Sequence, residues 1–274
     1  MGSMGRELLE IAIPTYNGNI LDVIENVPTL LHFLEKNVSI PWVVTLAHNG
    51  KKGDRFDSLQ EFAKNKKGVR ITAVPTPGKG SAVLNNLLHS SSSIFAYMDA
   101  DLATGIEAIP SLIDTIHSGA DMVSGSRYHP QSIIQRDPVR FFVSWIYTRI
   151  ILRFLNARFT DPQCGFKAFK TERIRPFLPL VQDSWFFFET EVEYIAQRKN
   201  LVLVEIPVVW KEMSNSSVKL GPKIINFLKN TWRLRFSPMN ESSAAWNVKP
   251  VVIFDAKPMA AKKLPTMNEK KLGR

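Results

Sequence analysis

The chain has 274 residues, 45% of them hydrophobic and 22% charged, with a single cysteine. Such a composition fits a folded chain with one large core or two small ones, and excludes a disordered protein or a disulfide scaffold. The net charge is +10, and Lys249–Arg274 alone holds seven Lys/Arg against two Asp/Glu, so nucleic acid, an anionic membrane and phosphorylated substrates stay open as partner classes.

Leu8 to Pro14 is an apolar run that stops at proline and predicts a buried strand. Ile20 to Lys36 places Ile20, Val23, Ile24, Val27, Leu30, Leu31 and Leu34 at helical spacing. Pro41–Ala47 predicts a second strand, closed by the turn signal His48-Asn49-Gly50. A helix over Phe56–Lys64 and a strand over Val69–Val74 follow. Gly78-Lys79-Gly80-Ser81 then opens a helix over Ala82–Leu88, and Ile94–Met98 is a fourth strand with Asp99-Ala100-Asp101 at its end. Ile109–His117 reads as helix and Asp121–Ser124 as strand.

Five strand–helix alternations in 125 residues predict a Rossmann-like α/β domain, a mostly parallel sheet with helices on both faces. Ligands in such sheets bind beyond the carboxyl ends of the strands. The loops holding Asn17, Asn49, Lys79, Asp99 and Asp101 all fall at that edge.

Further on, Val139–Phe159 and Trp185–Gln197 read as helices, Leu201–Trp210 as a strand and Gly221–Phe236 as a last helix. One domain is therefore expected over 5–236, with a nucleotide-binding half at 5–125 and an acceptor half at 126–236. Residues 237–274 read as a basic, unordered tail. Neither a signal peptide nor an 18-residue apolar run is present, so a soluble or peripheral protein is expected.

Asp99 and Asp101 would repel each other unless a cation lies between them. Hard carboxylate oxygens suit Mg²⁺ or Mn²⁺, with diphosphate oxygens completing the shell. Alternatively, the two aspartates cap the next helix. Cys164, between apolar neighbours, reads as a packed small residue more than as a nucleophile.

Val139–Phe159 interleaves Phe, Trp, Ile and Leu with Arg140, Arg149, Arg153 and Arg158. Gly221–Phe236 repeats that chemistry with Lys223, Lys229, Arg233 and Arg235. Both read as amphipathic interfacial helices at a membrane surface, and a buried core helix is the alternative for the first.

Ile13-Pro14-Thr15-Tyr16-Asn17, Gly78-Lys79-Gly80, Met98-Asp99-Ala100-Asp101-Leu102 and Gly125-Ser126-Arg127-Tyr128 resemble the successive motifs of family 2 glycosyltransferases, which have the GT-A fold. Asp161-Pro162-Gln163-Cys164-Gly165-Phe166-Lys167 and Phe188-Glu189-Thr190-Glu191 are similar to those of the polyprenyl-phosphate (dolichyl-phosphate) hexosyltransferases. The resemblance covers residues 8 to 220. It implies transfer of glucose or mannose, with inversion, from UDP-glucose or GDP-mannose to a polyprenyl phosphate.

It also implies a donor pocket of Pro14, Tyr16, Asn17, Asn49, Lys79 and Asp99, and a metal on Asp99 and Asp101. The acceptor phosphate is expected on Arg127, Arg140 and Ser144, with Lys211 and Lys219 flanking a lid. Glu189 stands where a general base is kept, and Asp161 is its rival. The chain departs from the family pattern at Gly18, at His48-Asn49 and at Ala103. The implied location is peripheral, on the cytoplasmic face of a membrane. Nucleic acid is not an expected partner, and homo-oligomers are possible. A saccharide hydroxyl as acceptor, or a non-catalytic membrane- or nucleic-acid-binding module, are the other functional readings.

Overall fold

The computed structural model describes residues 7–212, 220–236 and 252–254. The first half runs β1 (Leu9–Thr15), α1 (Ile20–Asn37), β2 (Trp42–Asn49), α2 (Phe56–Lys64), β3 (Val69–Val74), α3 (Lys79–His89), β4 (Ile94–Met98), α4 (Ile109–His117) and β5 (Met122–Ser126). The second half adds β6 (Ile133–Gln135), α5 (Pro138–Leu155), β7 (Phe166–Lys170), α6 (Thr171–Ile174), α7 (Phe188–Arg198), β8 (Leu203–Pro207), β9 (Val209–Lys211), α8 (Leu220–Phe236) and β10 (Val252–Phe254).

One sheet has the order β10-β3-β2-β1-β4-β7-β5-β8, and β6 pairs with β9 in a second, two-stranded one. The main sheet is parallel except that β7 runs antiparallel between β4 and β5, and β10 antiparallel on β3. Every residue of β1 is buried, as a strand covered on both faces requires. Ile11 and Ile13 pack with α1, α2 and α4, while Ala12 between them packs with α3 and α7 on the other face. Burial of each large aliphatic side chain in these layers stabilises the domain by about 2 kcal/mol.

β7 was not anticipated. Its sequence, Phe-Lys-Ala-Phe-Lys, places Lys167 fully inside, where the ammonium lies 2.9 Å from Glu193 Oε1 and donates to Ser124 Oγ at 2.8 Å. The run predicted as one strand over Leu201–Trp210 is two, because β8 stays in the main sheet and β9 leaves it for β6. α5 ends at Leu155 because Asn156 takes a left-handed conformation (φ 54°) as its cap, a common helix stop.

α5 is no core helix. Thr148, Ile151, Leu152 and Leu155 are buried, whereas Val139, Phe142, Val143, Ile146 and Ile150 stand in solvent. Phe154 stacks on Trp232 of α8 at 6.0 Å, joining the two helices into one exposed apolar face. No helix among the described residues is long and apolar enough to cross a membrane. Within 237–274, read from sequence as unordered, Val252–Phe254 forms β10, and the rest lies outside the described residues.

Candidate active site

The polar groups gather where β1, β2 and β4 end. Met98 closes β4, and a tight turn follows in which the Leu102 N–H donates to the Asp99 carbonyl and the Ala103 N–H to Asp101 Oδ1. Leu102 sits at φ 51°, a region a leucine enters only when its surroundings hold it there. The helical segments after this turn start at Ile106 and Ile109 with no side-chain cap. Asp99 and Asp101 are therefore not helix caps, and both carboxylates stay at the sheet edge.

Lys79 reaches into this turn. Its Nζ lies 2.6 Å from Asp99 Oδ1 and 2.9 Å from Glu189 Oε1, and the Tyr97 hydroxyl donates to the same Glu189 oxygen at 3.1 Å. Burial by itself would lower the Lys79 pKa, but Asp99 and Glu189 outweigh it and hold the ammonium protonated. Burial and then Asp99 push the Asp101 carboxyl up, against the Ala103 N–H that pulls it down. Glu189 is 3% exposed, so its ion pair with Lys79 is little screened by bulk water.

The two glycines around Lys79 serve a packing role. Gly78 has φ +125°, and a Cβ on Gly78 or Gly80 would strike the Ser184 backbone. The Gly80 and Ser81 N–H groups donate to the Trp185 and Ser184 carbonyls at 2.9 Å. The start of α3 is thus clamped to the segment that leads into α7, which brings Lys79 beside Glu189. Gly165 closes the cluster from above, since a Cβ there would overlap Asp99 Oδ2 and lie 2.9 Å from Lys79 Nζ.

The residues expected at the nucleotide divide into free and engaged groups. Tyr16 is 55% exposed, so its ring face is available. Asn17 is exposed too, its Oδ1 accepting weakly from the Arg55 N–H at 3.4 Å. Pro14 is buried in β1, and its carbonyl accepts from Asn19 Nδ2. Asn49 is a clamp, because Nδ2 donates to the Thr15 carbonyl at 2.8 Å and Oδ1 accepts the Gly78 N–H at 2.9 Å. His48 is fully buried edge-on to Phe56, with neither ring nitrogen hydrogen-bonded. Burial, then Lys52, lowers its pKa.

Arg127, expected at the acceptor phosphate, and Asp161 hold each other. Asp161 Oδ2 accepts from the Arg127 backbone N–H and Nε at 2.8 and 2.7 Å, and Oδ1 accepts from Nη2 at 2.8 Å. Asp161 is fully buried, and Arg127 overcomes the burial penalty to keep its pKa low. A carboxylate so engaged is a poor proton acceptor. The guanidinium also lies 5.5 Å from the Trp210 ring, and it opens onto a groove of about 440 Å³ walled by Tyr128, Ser132, Phe141, Phe142 and Trp145. Ser144 receives the Tyr128 hydroxyl at 3.3 Å, while Arg140 is 68% exposed with Nη1 3.8 Å from Glu212. Lys211 is exposed, and its N–H donates to the Ala103 carbonyl, which ties β9 to the turn after Asp101. Lys219 lies outside the described residues.

The Asp161–Gly165 loop joins the two sides. Asp161 holds Arg127, Gln163 donates to Thr190 next to Glu189, and Gly165 roofs Asp99. Tyr97, Trp210 and the Lys167–Glu193 pair also belong to this structure and were not singled out from sequence. Cys164 within the loop is buried, and burial pushes its thiol up to about 12, so it is a packing residue.

No group of three His, Cys, Asp or Glu side chains is placed to hold a metal ion among the described residues. Asp99 and Asp101 nevertheless supply hard oxygens at a position open to solvent. Asp99 is 45% exposed, and this fits a divalent ion whose other ligands come from a diphosphate.

The chain is 31% identical over 241 residues to the glycosyltransferase AglD of Haloferax volcanii, covering 84% of this chain and 38% of that one. It is 29% identical over 226 residues to a dolichyl-phosphate β-glucosyltransferase of Trichomonas vaginalis, covering 77% and 66%. Among solved structures, glucosyl-3-phosphoglycerate synthase from Mycobacterium tuberculosis, in complex with Mn²⁺, UDP and phosphoglyceric acid, superposes with a TM-score of 0.62 at 14% identity over 85% of this chain and 80% of that one. That likeness establishes the GT-A fold alone. The chain spans about two fifths and two thirds of the lengths of the two relatives. The model of Glycosyl transferase family 2 matches residues 10–175, more than half of the chain, and the protein belongs to that family.

Proposed function

We propose that this chain transfers a hexose from a nucleoside diphosphate sugar, UDP-glucose ahead of GDP-mannose, to a polyprenyl phosphate such as dolichyl phosphate, with inversion at C1. The observation that carries the reading is the cluster of Asp99, Asp101, Lys79 and Glu189 at the carboxyl edge of the sheet. Relatives that act on dolichyl phosphate support the acceptor. Asp99 and Asp101 would hold Mg²⁺ or Mn²⁺, which would supply positive charge to the departing diphosphate.

The chain's own residues do the rest. Tyr16 offers a face to the base, and Lys79 moves onto the diphosphate. Arg127, oriented by Asp161, presents the acceptor phosphate through its remaining N–H groups. A phosphate oxygen bonds to C1 as the bond from C1 to the diphosphate oxygen breaks, and the electron pair leaves with the nucleoside diphosphate. A phosphate dianion needs no base, so Glu189 orients the donor and takes no proton. The apolar face of α5 and α8, with Ile150 and Trp232 each 63% exposed, lies in the headgroup layer of a membrane and keeps the enzyme peripheral. The location proposed is the cytoplasmic face.

The test supplies UDP-glucose or GDP-mannose, Mn²⁺ and anionic vesicles with or without polyprenyl phosphate, and follows hexosyl-lipid formation and vesicle flotation. The wild type should float with the vesicles and make product, and Asp101→Ala should float and make none. Transfer to a soluble saccharide instead, abolished in Glu189→Gln, would overturn the phosphate acceptor.

A further inference from the structure

Lys79 stands in a position at odds with a simple phosphate-binding role. Its ammonium is placed on Asp99, a carboxylate that the proposed metal needs, and on Glu189. The side chain is 13% exposed. Its Nζ lies 5.6 Å from the centre of the Tyr97 ring and beneath the place a Cβ on Gly165 would fill. The backbone at Lys79 is fixed, because Gly78 accepts no side chain against Ser184 and its N–H is held by Asn49. Only the flexible tetramethylene stem can move the charge.

The geometry points to Lys79 as a displaceable internal cation that ties Asp99 to Glu189 until a diphosphate draws it away. This rests on the metal reading of Asp99 and Asp101 above and adds an order of events to it. A divalent ion arriving alone meets an ammonium already seated on Asp99 Oδ1, and two cations sharing one carboxylate repel each other. A diphosphate offers Lys79 more negative charge than Asp99 does. Once the ammonium follows it, Asp99 is free for the metal and Glu189 is free of its ion pair. One side chain thereby makes metal binding conditional on donor binding, and keeps the site closed by its own charge when no donor is present.

The experiment measures Mn²⁺ affinity by electron paramagnetic resonance, without substrate turnover. It uses the full chain as wild type, Lys79→Met, Lys79→Gln and Lys79→Arg, each with and without saturating UDP. Circular dichroism and thermal unfolding check folding. Wild type should bind Mn²⁺ weakly alone and far more tightly with UDP. Lys79→Met should bind Mn²⁺ alone about tenfold more tightly than wild type, with a gain from UDP about tenfold smaller. Lys79→Gln, which keeps a donor between the carboxylates but no charge, should behave the same way if Lys79→Met does not fold. Lys79→Arg should resemble wild type. Equal Mn²⁺ affinities of wild type and the neutral variants without UDP would overturn the displaceable cation and leave the metal reading standing. Absence of Mn²⁺ binding in all four proteins, with UDP present, would overturn the metal reading and this inference with it.

Discussion

Replacing Asp161 by asparagine separates the base that the sequence suggested from the brace on Arg127 seen in the structure. The carboxylate takes three N–H groups from Arg127, two on Oδ2 and one on Oδ1. An asparagine of the same shape must turn its NH₂ toward at least one of those donors. The better orientation puts Nδ2 where Oδ1 was. That keeps two hydrogen bonds, loses one, and leaves the Nη2 donor facing another donor. The pair also loses its charge attraction, with Asp161 fully buried and Arg127 14% exposed. Loss of one charge-assisted bond costs about 2 kcal/mol, and removing one partner of a buried pair costs about 3 to 5. Since the amide retains two bonds, about 3 kcal/mol is expected.

For a domain of this size that lowers the Tm by about 6 to 12 °C. Thermal unfolding gives the first readout and steady-state kinetics against polyprenyl phosphate the second. A brace predicts a raised KM for the acceptor, as Arg127 loses its aim, with the pH profile of kcat unchanged in shape. An unchanged Tm, with kcat abolished and its acid limb removed, would refute the reasoning and return Asp161 to the role of base.

Gly165→Ala places a methyl group against Asp99 Oδ2. It should cost about 1 to 3 kcal/mol in denaturant unfolding yet lower kcat about a hundredfold, because Asp99 and Lys79 are displaced together. Near-native turnover would show that Asp99 is not held from that side. The Glu193 carboxyl, fully buried beside Lys167, is pushed up by burial to about 7 from an ordinary 4.5, against the lowering effect of Lys167. Its folded pKa exceeds its unfolded one, so the folded state holds the proton more tightly. Stability should therefore fall as pH rises from about 4.5 to about 7, by about 3 kcal/mol, and level off above that. Glu193→Gln should lack this fall in denaturation midpoints measured between pH 5 and 8, and equal slopes in the two proteins would reject the assignment.

Elements of the first half were readable because each is a short apolar run between turn residues. Phe56–Lys64, Val69–Val74, Ile94–Met98 and Ile109–His117 have the bounds that periodicity predicts. β7 was hidden by a lysine at an inward position. Lys167 is tolerated there only because Glu193, on a helix 26 residues later, brings a carboxylate to it, and no local pattern reports such a partner. The same limit applied at the site. Lys79, Asp99, Asp161 and Glu189 were all identified from sequence, but which of them touch was not. The Gly-Lys-Gly motif was readable as a helix start, but not the hydrogen bonds that its Gly80 and the following Ser81 make to the Trp185 and Ser184 carbonyls. Asn49, expected in the nucleotide pocket, has both ends of its amide engaged by backbone.

These engagements bear on how the two halves of the proposed reaction would be kept in line. The groups proposed to hold the donor hang from β1, β2 and β4, which belong to the parallel part of the sheet, while Arg127 follows β5 on the far side of antiparallel β7. A shift of β7 against β4 would therefore change the distance between them. The loop entering β7 opposes that shift at three points, through Asp161 on Arg127, Gln163 on Thr190 and Gly165 on Asp99. Displacement between the attacking and departing groups by about 1 Å costs about a hundredfold in rate. A loop that touches both groups through one rigid strand removes the freedom to make that error. Its residue types follow from this, with a carboxylate where the guanidinium needs a fork, a small buried thiol where β5 passes at Gly125, and no side chain where Asp99 must fit.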